Sequence, residues 1–116
     1  MIYNKSRGKT VSKKCIFCRS SFSKALGLMF SIKPKSLVFV FEKEKIVPLH
    51  MFFVFFPIDV VYLDKKRKVV EIKEDFMPFT FYNPKKRAAY VVELPKGSVK
   101  SSNTKIGDVL RFNTAP

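Results

Sequence analysis

The feature that most limits what this chain can fold into is the way proline and charge cut its longest apolar stretch. From Ile46 to Leu63, eighteen residues carry one formal charge, Asp59. That length reaches the lower bound for a membrane-spanning helix. Pro48 and Pro57 interrupt the stretch, and Phe, Val, Ile and Tyr fill much of it. Proline breaks a helical hydrogen-bond ladder, whereas β-branched and aromatic residues suit a pleated, half-buried surface. Two successive buried strands, Ile46 to Phe56 and Asp59 to Leu63, are therefore expected instead of a membrane span.

The same punctuation recurs along the chain. Thr10 to Phe17, Ser36 to Phe41, Lys68 to Lys73, Ala88 to Leu94 and Val109 to Phe112 read as further strands. Glu42 to Lys45 reads as a charged connection, and Asp64 to Arg67 as a hairpin turn. Met77 to Tyr82 is an aromatic segment broken by Pro78 and Pro84. Ser20 and Ser21 offer N-caps to a short helix, Ser21 to Leu28, and Ser98 to Asn103 suits a helical turn. Many short strands joined by Pro and Gly turns predict a mainly β (β-rich α+β) fold. The expected form is a small antiparallel sandwich or partly closed barrel with one or two short helices. At 116 residues the chain suffices for one such domain. Residues 1–8 read as a flexible basic tail, 9–113 as the domain, and 114–116 as a C-terminal tail.

Charge narrows the partners more than the fold. Lys and Arg number 23 against nine Asp and Glu, a formal charge of +14. Met1 to Phe41 holds no acidic residue. Two further clusters, Lys65-Lys66-Arg67-Lys68 and Lys85-Lys86-Arg87, follow turn residues. Lysine is a solvated point charge and a poor bidentate reader of bases. The excess thus reads either as a solubilising surface or as loose, sequence-independent attraction to nucleic acid or another polyanion. Phe76, Phe79, Phe81 and Tyr82 precede the second cluster. They are core material on one reading and base-stacking groups on the other.

Little in the sequence points to catalysis. There is no phosphate-binding glycine loop, no His-Glu-x-x-His and no Gly-x-Ser-x-Gly. His50 is the only histidine and lies in an apolar run, where it is either a core residue or a ligand contact at a strand end. Asp59 sits among apolar neighbours. Facing inward it would need several donors, and as a turn cap it would take backbone N–H groups. Cys15 and Cys18 form a lone Cys-x-x-Cys. A zinc site needs four ligands, so two half-buried thiols are expected, with a redox or intersubunit metal role as the alternative. No metal or other cofactor is expected. The polar, basic N-terminus is unlike a secretory signal, and a cytosolic location is expected.

Ala25 to Phe30, Leu37 to Phe41, His50-Met51-Phe52, Pro57 to Asp64, Ala89 to Gly97 and Ile106-Gly107-Asp108 follow one another between Thr10 and Phe112. In that order they resemble the segments of the domain of unknown function 192 family. Gly27-Leu28-Met29 matches its Gly-Leu-Met motif, and Pro57-Ile58-Asp59 is similar to its Pro-Leu-Asp strand. The resemblance implies a compact, mostly β domain and carries no established activity. Phe52, Phe53 and Val54 stand where that family often has Lys-Asn-Thr, so any ligand site built on those polar residues is absent or remodelled here. His50, Met51 and Asp59 are the ligand-binding candidates. The expectation is a non-catalytic ligand-binding or accessory module. The alternatives are polyanion binding through Lys65 to Lys68 and Lys85 to Arg87, and an enzyme with a pocket near His50 and Asp59.

Overall fold

The computed structural model describes residues 1–19, 28–29, 31 and 33–112. The helix expected over Ser21 to Leu28 lies almost wholly outside the described residues, as do residues 114–116. Among the described residues there are ten strands and one short helix: β1 (Ile2–Asn4), β2 (Lys9–Ser12), β3 (Ile16–Cys18), β4 (Leu37–Lys45), β5 (Leu49–His50), β6 (Ile58–Leu63), β7 (Val69–Phe76), β8 (Phe81–Tyr82), β9 (Ala88–Pro95), α1 (Ser98–Ser101) and β10 (Leu110–Phe112). The fold is β-rich, as the turn pattern predicts, and among the described residues no barrel closes.

A five-stranded sheet, β3-β4-β9-β6-β7, forms the middle layer. A three-stranded sheet, β10-β1-β2, covers one face, and the two-stranded β5–β8 sheet lies over the other. The two faces carry separate cores. Val38, Val61, Val92 and Leu94 pack with Ile2, Val11, Leu110, Phe112 and the helix residue Val99. Phe39, Val60, Tyr62 and Val91 pack with Met51, Val54 and Phe76. Burial on both faces explains why all six residues of β6 are buried and why, Asp59 aside, its sequence is apolar without alternation.

Several expectations are corrected. Residues 1–8 are not a flexible tail throughout, because Ile2–Asn4 is the central strand of the three-stranded sheet, paired with both β2 and β10. Its signal is short: Ile2 and Asn4 are buried, but the strand has only three residues among basic ones. Thr10 to Phe17 is not one strand. It splits at Ser12, and β3 turns to pair with β4, in parallel, in the other sheet. Glu42 to Lys45 continues β4 past the point where its register with β9 breaks, so charges are tolerated on an outer end. Ile46 to Phe56 yields only the two residues of β5. Pro48 supplies no donor, and the chain turns sharply after Met51.

Candidate functional site

The sequence candidates do not converge. Asp59 lies on β6, on the face of Val61, and is 1% exposed. Its Oδ1 accepts the Asp75 N–H at 3.1 Å, and its Oδ2 accepts the N–H groups of Gly97 at 3.1 Å and Val99 at 3.0 Å. A bulge in β7 and the left-handed backbone of Asp75 (φ 54°) aim that first donor. The carboxylate thereby ties β6 to β7 and to the start of α1. Met51 belongs to the opposite core, where its side chain is buried. Its backbone also clamps two turns together: its N–H donates to Thr80 O at 2.8 Å, and its carbonyl accepts Phe79 N–H at 2.7 Å and Val54 N–H at 3.3 Å. His50 is exposed, not core, with Nδ1 accepting the Phe52 N–H at 3.2 Å and its ring 5.2 Å from that of Phe52.

What this clamp presents is a surface of aromatic rings. Phe53 is 47% exposed, Phe55 61%, Phe79 50% and Phe81 68%, with Phe52 and Met77 beside them. The rings touch edge to face. Phe52 and Phe81 are 5.0 Å apart, Phe55 and Phe79 5.8 Å, and Phe53 and Phe79 6.3 Å. Of the four aromatics singled out in the sequence from Phe76 to Tyr82, only Phe76 is fully buried. Proline and turn signals interrupt the period-2 pattern here, so sequence alternation carried no information on which rings face outward.

Backbone strain marks the same surface. Phe53 (φ 59°) and Phe79 (φ 61°) both adopt the left-handed conformation. For a bulky residue this is unfavourable by about 1–3 kcal/mol. Glycine or asparagine would occupy either turn more easily. Neither ring offsets that cost by full burial.

The two basic clusters share one end of the middle sheet, and Lys85 to Arg87 follows β8 closely in the chain. Lys45 pairs with Ala88, Leu63 with Tyr90 and Leu63 with Val69, so the turns before β9 and between β6 and β7 lie at one end of the middle sheet. Lys65 N–H donates to Glu44 Oε2 at 2.8 Å, closing that end. Glu71 is the link from the second cluster to the aromatics. Its Oε1 accepts the N–H groups of Lys85 and Lys86, each at 2.9 Å, while its Oε2 accepts the Tyr82 hydroxyl. That hydrogen bond, with burial, pushes the Tyr82 hydroxyl up to about 12. Among the described residues the side chains of Lys65, Lys66, Lys68, Lys85, Lys86 and Arg87 have no ion-pair partner. Arg67 instead lies over the rings of Tyr90 and Phe112, at 5.5 and 5.2 Å.

Under β8 lies a polar group the sequence did not single out. Glu93 is flanked across the sheet by Leu37 and Val60, and burial pushes its carboxyl up to about 7. The Tyr62 hydroxyl is buried with no hydrogen-bond partner among the described residues, and burial raises it far above its ordinary range. Cys15 and Cys18 go to opposite faces of the middle sheet, and neither forms a disulfide. No group of three potential metal ligands gathers among the described residues. No described helix is long and apolar enough to cross a membrane.

Comparison with known proteins places this geometry in a family. A protein of unknown function from Novosphingobium aromaticivorans superposes with a TM-score of 0.78 at 21% identity, over 84% of this chain and 74% of its own. A candidate transcription regulator from Sinorhizobium meliloti superposes at 0.84 and 23% identity, over 95% and 88%. Both likenesses establish the fold alone. A UPF0127 protein of Thermococcus sibiricus is 36% identical over 93% of this chain and 71% of its own length. One from Pyrococcus horikoshii is 34% identical over 98% and 100%. The family model described as DUF192, Uncharacterized ACR, matches residues 2–112, and the chain belongs to that family.

Proposed function

We propose that this chain is a non-catalytic binding module that takes single-stranded nucleic acid across the aromatic face of β5 and β8, without regard to base sequence. One observation carries the reading: two neighbouring phenylalanines are held at positive φ and half exposed. Their rings are displayed where a planar ligand can stack. Base–aromatic stacking is worth about 1–3 kcal/mol per base and tolerates any sequence. The cations of Lys65 to Lys68 and Lys85 to Arg87 supply the phosphate contacts. Their lysine bias suits point-charge attraction and not base reading. His50, stacked on Phe52, extends the same face. A cytosolic location would give such a module access to its ligand.

Nuclear magnetic resonance mapping tests the surface. Adding an oligothymidylate to ¹⁵N-labelled protein should shift Phe52 to Phe55, Phe79 to Phe81 and Lys85 to Arg87. Absence of shifts at low salt, or shifts confined to other surfaces, would remove the reading.

A further inference from the structure

At the opposite end of the middle sheet from the basic turns lies a cleft of about 940 Å³. It opens where β2 leaves the three-stranded sheet and the chain crosses to β3. Its walls are fixed by short contacts. Ser12 Oγ lies 2.6 Å from Ser36 Oγ and donates to Lys14 O at 2.8 Å, and Ile16 N–H donates to Ser36 O at 2.9 Å. A site held this way needs little ordering when a ligand enters.

The chemistry of the lining is divided. Ile16, Phe17 and Pro95 give it an apolar floor. Ile16 is 52% exposed on the edge strand of its sheet, so the described fold leaves much of this side chain uncovered. Lys13, Lys14 and Lys35 form the rim, and among the described residues no acidic one lines the cleft. Among the described residues none of the three has an ion-pair partner. The Arg19 guanidinium, 5.0 Å from the Phe17 ring, adds positive charge beside the floor. A cationic rim over an apolar floor is complementary to a molecule with one anionic end and one hydrocarbon body. Pockets of this size commonly take small molecules, with a few polar groups fixing orientation. Lysine stems can cover the hydrocarbon while their ammonium groups meet the anion.

We infer that this cleft binds an amphipathic monoanion of the fatty-carboxylate class, its carboxylate at Lys13, Lys14 and Lys35 and its chain along Ile16 and Phe17. The site uses none of the residues of the aromatic face, so it stands or falls separately from the nucleic-acid reading.

The test uses three ten-carbon probes below their micelle concentrations: decanoate, decanol and decyltrimethylammonium. Each is titrated into the ¹⁵N-labelled full chain. Decanoate should bind and shift the Ser12 to Phe17 resonances, while the neutral and cationic probes bind more weakly. In the double variant Lys13→Glu and Lys35→Glu, decanoate affinity should fall by about tenfold or more. The variant's thermal transition checks that its fold is kept. Ile16→Asp provides a second exposed variant and should lose the same binding through the floor. Equal binding of all three probes, unchanged affinity in both folded variants, shifts centred on the aromatic face, or no decanoate binding would each overturn the inference.

Discussion

At Asp59, three backbone N–H groups depend on one buried carboxylate. Replacing it with Ala leaves them without their acceptor and should destabilise the protein by about 2–4 kcal/mol, measured by urea unfolding. A change below about 0.5 kcal/mol, the range of a typical surface substitution, would show that the contacts carry no weight. Glu93 acts through protons. Burial pushes its carboxyl from the ordinary 4.5 up to about 7. Between those values the folded chain holds a proton that the unfolded chain has released, so stability falls as pH rises across the window. Asp108 works in the other direction. Burial alone would raise it, but hydrogen bonds from Arg7, Asn4 and the Lys105 N–H outweigh burial and hold it below the usual carboxylate range. Its contribution is present above that range and is lost as pH falls through its depressed value. Together the two groups put maximum stability between the ordinary Asp and Glu values, at about pH 4. Glu93→Gln should abolish the decline between about pH 5 and pH 8 and make the variant the more stable at pH 8, by at most about 3 kcal/mol. An undiminished decline in the variant would assign it to another group.

Among the elements, β1 shows how a short strand acquires consequence. Asn4 Nδ2 donates to Thr104 Oγ1 and to Asp108 Oδ2, each at 3.0 Å, and its Oδ1 accepts the Arg7 N–H at 3.0 Å. Those bonds fasten the N-terminal strand to the segment before β10, a hundred residues away. Asn4→Ala should therefore cost about 2 kcal/mol and lower the melting temperature by roughly 10 °C. A shift within a degree or two would mean that the network is idle. None of this was legible in the sequence, because contacts between Asn4 and Asp108 leave no local periodicity. The strands with long apolar runs, β6 and β9, were legible almost to their ends, since β-branched content and flanking turns both speak there. The outward turn of Phe53, Phe55, Phe79 and Phe81 was not. An apolar run looks the same whether a chain buries it or displays it. What turned these rings outward is tertiary: the Met51 clamp and the two left-handed phenylalanines. Asp59 was half legible, as a carboxylate requiring donors, whereas the identity of those donors depended on a β7 bulge and the α1 start.

Across the whole molecule, the +14 charge takes on a shape. The two basic turns gather at one end of the middle sheet, one of them following β8, and Lys13, Lys14 and Lys35 rim a cleft at the other. With the charge arranged so, binding at the aromatic face should depend on salt and on rings at once. If about five phosphates are neutralised, log K should fall against log salt with a slope near −3.5 for a single strand. The most direct measurement is fluorescence anisotropy with a labelled oligothymidylate of about 20 nucleotides, comparing the native chain with the Phe53→Asn and Phe79→Asn double variant. Asparagine suits the left-handed backbone, so the variant should stay folded, with stability within about 1 kcal/mol of the native chain. Its affinity should drop by about tenfold or more while the salt slope is kept, because stacking is lost and the cations remain. A folded variant that binds as tightly as the native chain, or a native chain that does not bind at low salt, would contradict the account.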